Sequence, residues 1–402
     1  MKKILALLLA GCMAFALCAC GSAPAEDAEN TGDETTAAGD TIVIGVFEPL
    51  SGDNGAGGKQ EALGMQYANS VQPTVEIDGK EYTVKLETAD NESSTDKAVS
   101  AANTLISKSP SVVLGTYGSA VAIAGSDTFA DAGIPAIGVT CTNPQVTEGN
   151  DHYFRICFLD PFQGTVLANF AKEELKATKV YCLGQLGNDY DQGLINYFKE
   201  ASKDLDIEIV GDDDFPENNS DFTSYLTNAK NAGAEVIFAP CSISYAQLIV
   251  TQAASQGIDM PLLASDTWDN NTVLAAAQGK DVSIYISTFY AEGGDQEFEA
   301  GFKEFINSNS ENKTNNGGND MIAAVSVMGY DAYFTALEAL KAAGSADPAD
   351  VMAALPSVTH SGISGDIAFD ETGDAVRDTA FIKTANVTNN VWDFVKVQQI
   401  AQ

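Results

Sequence analysis

Thr41-Ile42-Val43-Ile44-Gly45-Val46-Phe47 is a β-branched apolar run, and after the glycine-rich turn from Gly52 the chain resumes at helical spacing from Gly58 to Asn69. The alternation repeats outward from there. Tyr82 to Glu87, Val112 to Leu114 and Ala136 to Val139 read as strands, with helices predicted over Ser94 to Ser107 and Ala120 to Ala130. Short strands separated by amphipathic helices are the punctuation of βαβ units, so a parallel sheet covered on both faces is expected. A second series follows Arg155. Its helices are predicted at Pro161 to Leu175, Tyr190 to Ser202, Asp221 to Asn231 and Tyr245 to Gln256. Its strands are predicted at Lys179 to Leu183, Ile207 to Val210, Val236 to Ala239 and Leu262 to Ala264. A long helix from Asp320 to Ala343 ends at Gly344, a suitable left-handed stop. Strands at Ile367 to Phe369, Thr379 to Thr384 and Val391 to Val397 close the chain. The fold class expected is α/β, with two doubly wound parallel-sheet lobes.

Composition narrows the functions. The 402 residues are 45% hydrophobic and 19% charged, enough apolar material for folded cores. Lys and Arg number 21 against 56 Asp and Glu, a net charge of -35, which repels a nucleic-acid backbone. The two histidines, His152 and His360, give a zinc site or a phosphorelay almost nothing to be built from, and both read as surface or loop residues.

Lys2 and Lys3 precede an apolar run from Ile4 to Ala19, shorter than the ~20 residues that span a bilayer, so residues 1–19 are expected to be an export signal. Leu17-Cys18-Ala19-Cys20-Gly21 resembles a bacterial lipobox, with Cys20 as the lipidated residue. Leu9-Ala10-Gly11-Cys12 also fits the letters but leaves a short apolar run ahead of the cut. Residues 20–40 carry six acidic side chains, no basic one and no large apolar one, as befits a tether. Two acyl chains suffice to hold such a leash on a membrane. Cys141, Cys157, Cys182 and Cys241 remain in the body without CxxC spacing. Buried thiols are expected of them, with a disulfide left open in an extracytoplasmic protein.

Catalytic and nucleotide motifs fail on spacing. A Walker loop ending at Gly58-Lys59 needs Gly at Asp53 and Ser or Thr at Gln60, and a dinucleotide fingerprint from Gly55 needs Gly at Gln60. No GxSxG elbow occurs. Asp212-Asp213-Asp214 lacks the alternation of a calcium loop and reads as a solvated charge run. No reaction, metal or cofactor is expected.

Several segments in order resemble the leucine/isoleucine/valine-binding family of periplasmic binding proteins. They are Ile44-Gly45-Val46-Phe47-Glu48-Pro49-Leu50-Ser51-Gly52 with Gly58, Gln60 and Gly64; Gly115-Thr116-Tyr117-Gly118-Ser119 with Cys141-Thr142-Asn143-Pro144; Gly187-Asn188-Asp189-Tyr190; and Ser265-Asp266-Thr267-Trp268. Gly329-Tyr330-Asp331-Ala332 and Phe369-Asp370-Glu371-Thr372-Gly373-Asp374 are similar to late motifs of the same family. The resemblance implies two lobes joined by a three-segment hinge, crossed near Cys157 to Asp160, Thr288 to Ala291 and Gly365 to Phe369. Lobe 1 is then 42–158 with 291–364, and lobe 2 is 159–290 with 365–399.

The resemblance also implies the site. Ser119, at a helix start, and Thr140, Cys141 and Thr142, at a strand end, match positions that hold a ligand carboxylate, an edge where open α/β sheets present ligands. Asp266 matches the acidic partner of an ammonium group, and Tyr190 a tyrosine lining the ligand from the second lobe. Tyr117 and Trp268 flank these motifs as pocket walls. Two departures stand out: Gly57 replaces an aromatic ahead of the Gly-x-Gln, and Cys241-Ser242-Ile243 replaces a second tyrosine region. The function implied is an extracytoplasmic lipoprotein, monomeric, on the outer face of the cytoplasmic membrane. It captures an amino acid, branched-chain or similar, and hands it to ABC permease subunits. Amides, urea or aromatic acids in the same fold, or a sensor of a membrane partner, are the alternatives.

Overall fold

The computed structural model describes residues 40–400, so the expected signal segment, Cys20 and nearly all of the tether lie outside the described residues. The first series is β1 (Thr41–Glu48), α1 (Gly55–Val71), β2 (Thr74–Ile77), β3 (Lys80–Asp90), α2 (Thr95–Ile106), β4 (Val112–Gly115), α3 (Ser119–Asp131), β5 (Ala136–Gly138) and β6 (Tyr153–Arg155). These strands form one sheet in the order β2-β3-β1-β4-β5-β6. All neighbours are parallel except the β2–β3 pair. Every residue of β4 and β5 is buried, as a strand covered on both faces must be.

The second series is α4 (Asp160–Glu173), β7 (Lys179–Gln185), α5 (Asp189–Asp204), β8 (Glu208–Phe215), α6 (Thr223–Asn231), β9 (Val236–Phe238), α7 (Ile243–Gln256), β10 (Leu262–Ala264), α8 (Asn271–Ala277) and β11 (Ile284–Thr288). Then come α9 (Gln296–Asn307), α10 (Ser310–Asn315), α11 (Ala324–Ala343), α12 (Pro348–Ala354), β12 (Thr359–Gly362), β13 (Gly365–Ala368), β14 (Thr379–Asn386) and β15 (Val391–Gln399). The second sheet runs β15-β14-β11-β10-β9-β7-β8. Its core is parallel, and β14 and β15 add an antiparallel edge, so both sheets are mixed rather than wholly parallel.

Three passages link the sheets. The first runs between Arg155 and Asp160 and the second follows Thr288. Here Phe158 and Phe289 meet at a tilt of 33° with ring centres 4.3 Å apart, so the two connections are packed on each other. After Thr288 the chain returns to the first lobe, where Phe298, Phe302 and Phe305 of α9 surround Tyr67 of α1. The third passage falls later than Gly365 to Phe369. There β13 pairs with β12, Phe369 packs edge-on against Phe154, and the Ala375 N–H donates to the Arg155 carbonyl. The chain then joins the second sheet at β14.

Close helix packing sets the first lobe's geometry. A Cβ on Gly64 of α1 would lie 1.9 Å from the Ser326 carbonyl of α11, and one on Gly329 would lie 2.2 Å from the Glu61 carbonyl, so glycine at both places lets the two backbones touch. The Asp212-Asp213-Asp214 run lies in the outer strand β8 with Asp212 and Asp214 exposed, as a solvated charge run should be, and there Asp212 pairs with Lys199, Asp213 accepts from Tyr181 and Asp214 accepts from Gln192. His152 pairs with Asp151, and His360 stacks on Phe334.

Candidate ligand-binding cleft

The carboxyl ends of β1, β4 and β5 in one sheet face those of β7, β9 and β10 in the other. In each sheet the connections diverge to either side of the first strand, β1 or β7, and such switch points leave a crevice at the strand ends. A cavity of about 300 Å³ occupies it, walled by the loops that enter α1, α2, α3, α5 and α7. Five helix N-termini therefore border one space with their partial positive ends. At α3 the Gly118 cap offers no side-chain acceptor, so the first amides of that helix are left for a ligand anion.

Of the residues singled out in the sequence, Tyr117, Ser119, Thr140, Tyr190 and Asp266 line this cavity together. Ser119 Oγ accepts the Asn143 N–H at 3.1 Å. Cys141, Thr142 and Trp268 do not line it. Cys141 is fully buried in the core of the first lobe, and its carbonyl accepts from Arg155 at 2.9 Å. Thr142 is also fully buried; its hydroxyl lies beside the buried Asp160 carboxyl, and its carbonyl takes the Asp160 N–H at 3.0 Å. Trp268 is fully buried in the second lobe's core because its indole N–H satisfies the Cys241 carbonyl at 3.0 Å. All four body cysteines are free thiols.

Asp266 is only 2% exposed, and both Gln163 Nε2 (2.7 Å) and the Tyr190 hydroxyl (2.8 Å) donate to its Oδ1. No other side-chain donor is needed there, so Oδ2 is the oxygen left to an incoming group. Burial pushes its carboxyl up to about 6, against the pull of those two donors. Across the cavity, two carboxyls that sequence reading did not single out lie behind Thr140. Glu61 Oε2 accepts the Thr140 hydroxyl at 2.5 Å, and Glu48 Oε2 accepts the Tyr117 N–H at 2.9 Å. Their Oε1 atoms have no donor among the described residues, although the two side chains are within hydrogen-bonding reach. Burial lifts Glu61 to about 7 and Glu48 well above the usual carboxylate range. A proton held by Glu48 and shared with Glu61 satisfies both orphan oxygens and leaves the pair no more than one negative charge. A glutamate ending an otherwise apolar strand, Glu48, was the available signal.

Bonds between the lobes bridge the cavity rim. Asn54 Nδ2 donates to Ser242 Oγ at 3.1 Å, and the Ile243 N–H donates to Asn54 Oδ1 at 3.1 Å. Ser244 N–H and Oγ donate to the Asp53 carbonyl (3.1 Å) and Oδ1 (2.6 Å). The first lobe thus caps helix α7 of the second, whose own Ser242 makes no side-chain cap. The Tyr117 hydroxyl reaches the Thr267 carbonyl at 2.8 Å. Gly57 makes room for that ring: a Cβ there would lie 2.5 Å from a Tyr117 ring atom. The missing aromatic at 57 is therefore matched by an aromatic arriving from 117.

Arg155, fully buried, braces the ligand loop from behind. It donates to the carbonyls of Cys141 (2.9 Å) and Asn143 (2.5 Å) and to Thr147 Oγ1 (3.0 Å), while Asp374 balances its charge at 2.7 Å.

Residues 41–388 match the Periplasmic binding protein family. The chain belongs to it. A Leu/Ile/Val-binding protein homolog 1 of Brucella abortus is 28% identical over 337 residues, covering 83% of this chain and 87% of that protein. The leucine binding protein LivK of Thermotoga maritima superposes with a TM-score of 0.79 at 28% identity, over 89% of this chain and 99% of that one. The branched-chain amino acid transporter substrate binding protein LivJ of Streptococcus pneumoniae, solved in complex with isoleucine, gives 0.78 at 26% identity, over 90% and 100%. The protein is an extracytoplasmic substrate-binding protein of the ABC-transporter type and not an enzyme. No helix among the described residues is long and apolar enough to cross a membrane.

Proposed function

We propose that this periplasmic binding protein captures an amino acid between its lobes and delivers it to the transmembrane subunits of an ABC importer. It does so as a monomer anchored through a lipid on Cys20 to the outer face of the cytoplasmic membrane. The observation that carries the reading is the pairing, across one cavity, of uncapped α3 amides beside Ser119 with the buried carboxylate of Asp266. An α-carboxylate suits the first and an α-ammonium the second, and the ligand then binds to both lobes at once. Tyr190 and Gln163 hold Asp266 Oδ1, which orients its other oxygen toward the ammonium. An aromatic acid or a neutral amide brings no cation to Asp266 and fits this wall less well.

A thermal-shift screen of the purified protein, freed of copurified ligand, against the common amino acids tests the reading. A ligand at ~100 times its dissociation constant adds about 2.7 kcal/mol to stability, a clear rise in melting temperature. Asp266→Asn should abolish that rise while retaining the fold. No rise with any amino acid would sink the assignment and favour the aromatic acids and amides. The anchor is tested separately by labelling cells with a fatty-acid probe, where Cys20→Ala should lose the label.

A further inference from the structure

The wall of the cavity carries more acid than one zwitterion uses. Asp266 is committed to the α-ammonium in the reading above, on which this inference rests. Three further carboxylates, Asp53, Asp96 and Glu217, line the same space toward its mouth, and no lysine, arginine or histidine lines it among the described residues. Asp53 is already engaged by Ser244, whereas Asp96 and Glu217 are exposed. Much of the remaining wall is hydroxyl and amide, with Ser93, Ser94, Thr95, Gln185 and Asn188. Aliphatic side chains are scarce. Ala120 and Val121 belong to the first turn of α3, and Leu186, at 63% exposure, stands at the rim.

The inner wall brings no cation to offset this acid. Behind Thr140 stand the fully buried Glu61 and Glu48, within hydrogen-bonding reach of each other. The two buried cations nearest in the fold are spent elsewhere: Arg155 on Asp374 and the ligand loop, Lys383 on Asp269 at 2.9 Å. The space next to Gly57 is filled by the Tyr117 ring, tied down at Thr267. The one cavity thus joins the buried Asp266 to the exposed Asp96 and Glu217 through a wall that is mostly polar. The net charge of -35 adds a long-range field that draws cations toward it.

We propose that the cleft takes an amino acid with a cationic side chain, of the lysine, ornithine or arginine type, whose distal charge lies at Asp96 and Glu217. The α-carboxylate meets the α3 amides, the α-ammonium meets Asp266, and the methylene stem runs along the serine and threonine wall. The ligand class thereby differs from the isoleucine held by the Streptococcus pneumoniae relative.

Calorimetric titration of the purified, ligand-free protein with L-lysine, L-ornithine and L-arginine, against L-norleucine and L-leucine, tests this. Norleucine keeps the length of lysine and lacks only the charge. The cationic amino acids should bind at least about tenfold tighter than norleucine, and the gap should narrow with added salt. The pair Asp96→Asn and Glu217→Gln, both on the exposed rim and safe for folding, should weaken lysine by about threefold to tenfold and leave norleucine unchanged. Norleucine or leucine binding as tightly as lysine would overturn this inference while leaving the amino-acid reading intact. Tight lysine binding that ignores the double variant would overturn the placement of the distal charge. Absence of binding by every amino acid would overturn both readings.

Discussion

Asn54→Ala should loosen ligand binding without unfolding either lobe. Asn54 is one of the first lobe's two residues that cap α7 of the second, making bonds of 3.1 Å to Ser242 Oγ and from the Ile243 N–H. These bonds exist only when the lobes face each other across the rim. Replacing an N-cap asparagine by alanine costs ~0.5–2 kcal/mol, and the partial cap left by Asp53 keeps the loss near the middle of that range. A loss of about 1–1.5 kcal/mol from the bridged state, at 1.4 kcal/mol per tenfold, weakens apparent affinity by roughly fivefold to twelvefold. Titration calorimetry reads the affinity, and stopped-flow fluorescence should place most of the change in the dissociation rate. Asn54→Asp keeps the acceptor for Ile243 at a helix N-terminus, where negative charge is favourable, so it should lose less. Unliganded melting temperature should hardly move. Affinity within twofold of the parent in Asn54→Ala would refute the claim that this cap forms in the liganded state.

Two further perturbations probe the interior. Burial raises Asp266 to about 6, Glu61 to about 7, and Asp160 and Asp191 to about 8, all above their unfolded values near 4. Between those limits the native state binds more protons than the unfolded chain, so unliganded stability should fall as pH rises from about 5 to about 8. Ligand affinity should rise through pH 6 as Asp266 ionises. Melting curves with and without ligand across that window check both signs, and an unliganded protein that gains stability toward pH 8 would contradict them. Gly57→Ala drives a methyl to within 2.5 Å of the Tyr117 ring, an overpacking worth about 1–3 kcal/mol that also breaks the bond to Thr267. Combining it with Tyr117→Leu should recover part of the loss in melting temperature, whereas strictly additive losses would show that the two positions do not compete for space.

The sheets were legible in the chain because their central strands are β-branched runs with helices between them. The third passage was not. β12, Thr359-His360-Ser361-Gly362, has no strand pattern of its own and is held by tertiary bonds, with Asp331 accepting from the Ile363 and Ser364 amides just beyond it. The site divides in the same way. Ser119, Tyr190 and Asp266 sit at element starts, where a motif reports position, and the fold brings them to one cavity. Trp268 looked like a pocket wall by adjacency to Asp266, yet the carbonyl of Cys241, remote in the chain, draws its indole inward. Glu48 and Glu61 escaped notice because their meaning is a pairing, and pairing between β1 and α1 is not written in either segment alone.

Those pairings explain how so many carboxyls can be buried at and behind one cavity wall in a stable fold. A buried carboxylate without a cation is costly, and this chain meets part of the cost by protonation: Glu48 keeps its proton and shares it with Glu61, and burial lifts Asp266 to about 6, so that it holds part of a proton near that pH. An ammonium arriving at Asp266 removes the reason for that proton. Binding should therefore release a fraction of a proton near pH 6 as the carboxyl ionises against its new partner. The same event ties the α3 side of the cleft to the Asp266 side, so charge neutralisation and lobe bridging are one step. A ligand lacking the ammonium can contact the α3 amides but leaves Asp266 without a counter-charge, and it gains nothing from the second lobe's carboxylate. Selectivity for the zwitterion thus comes from the unliganded protein's own unpaired acid, and lobe closure follows from satisfying it.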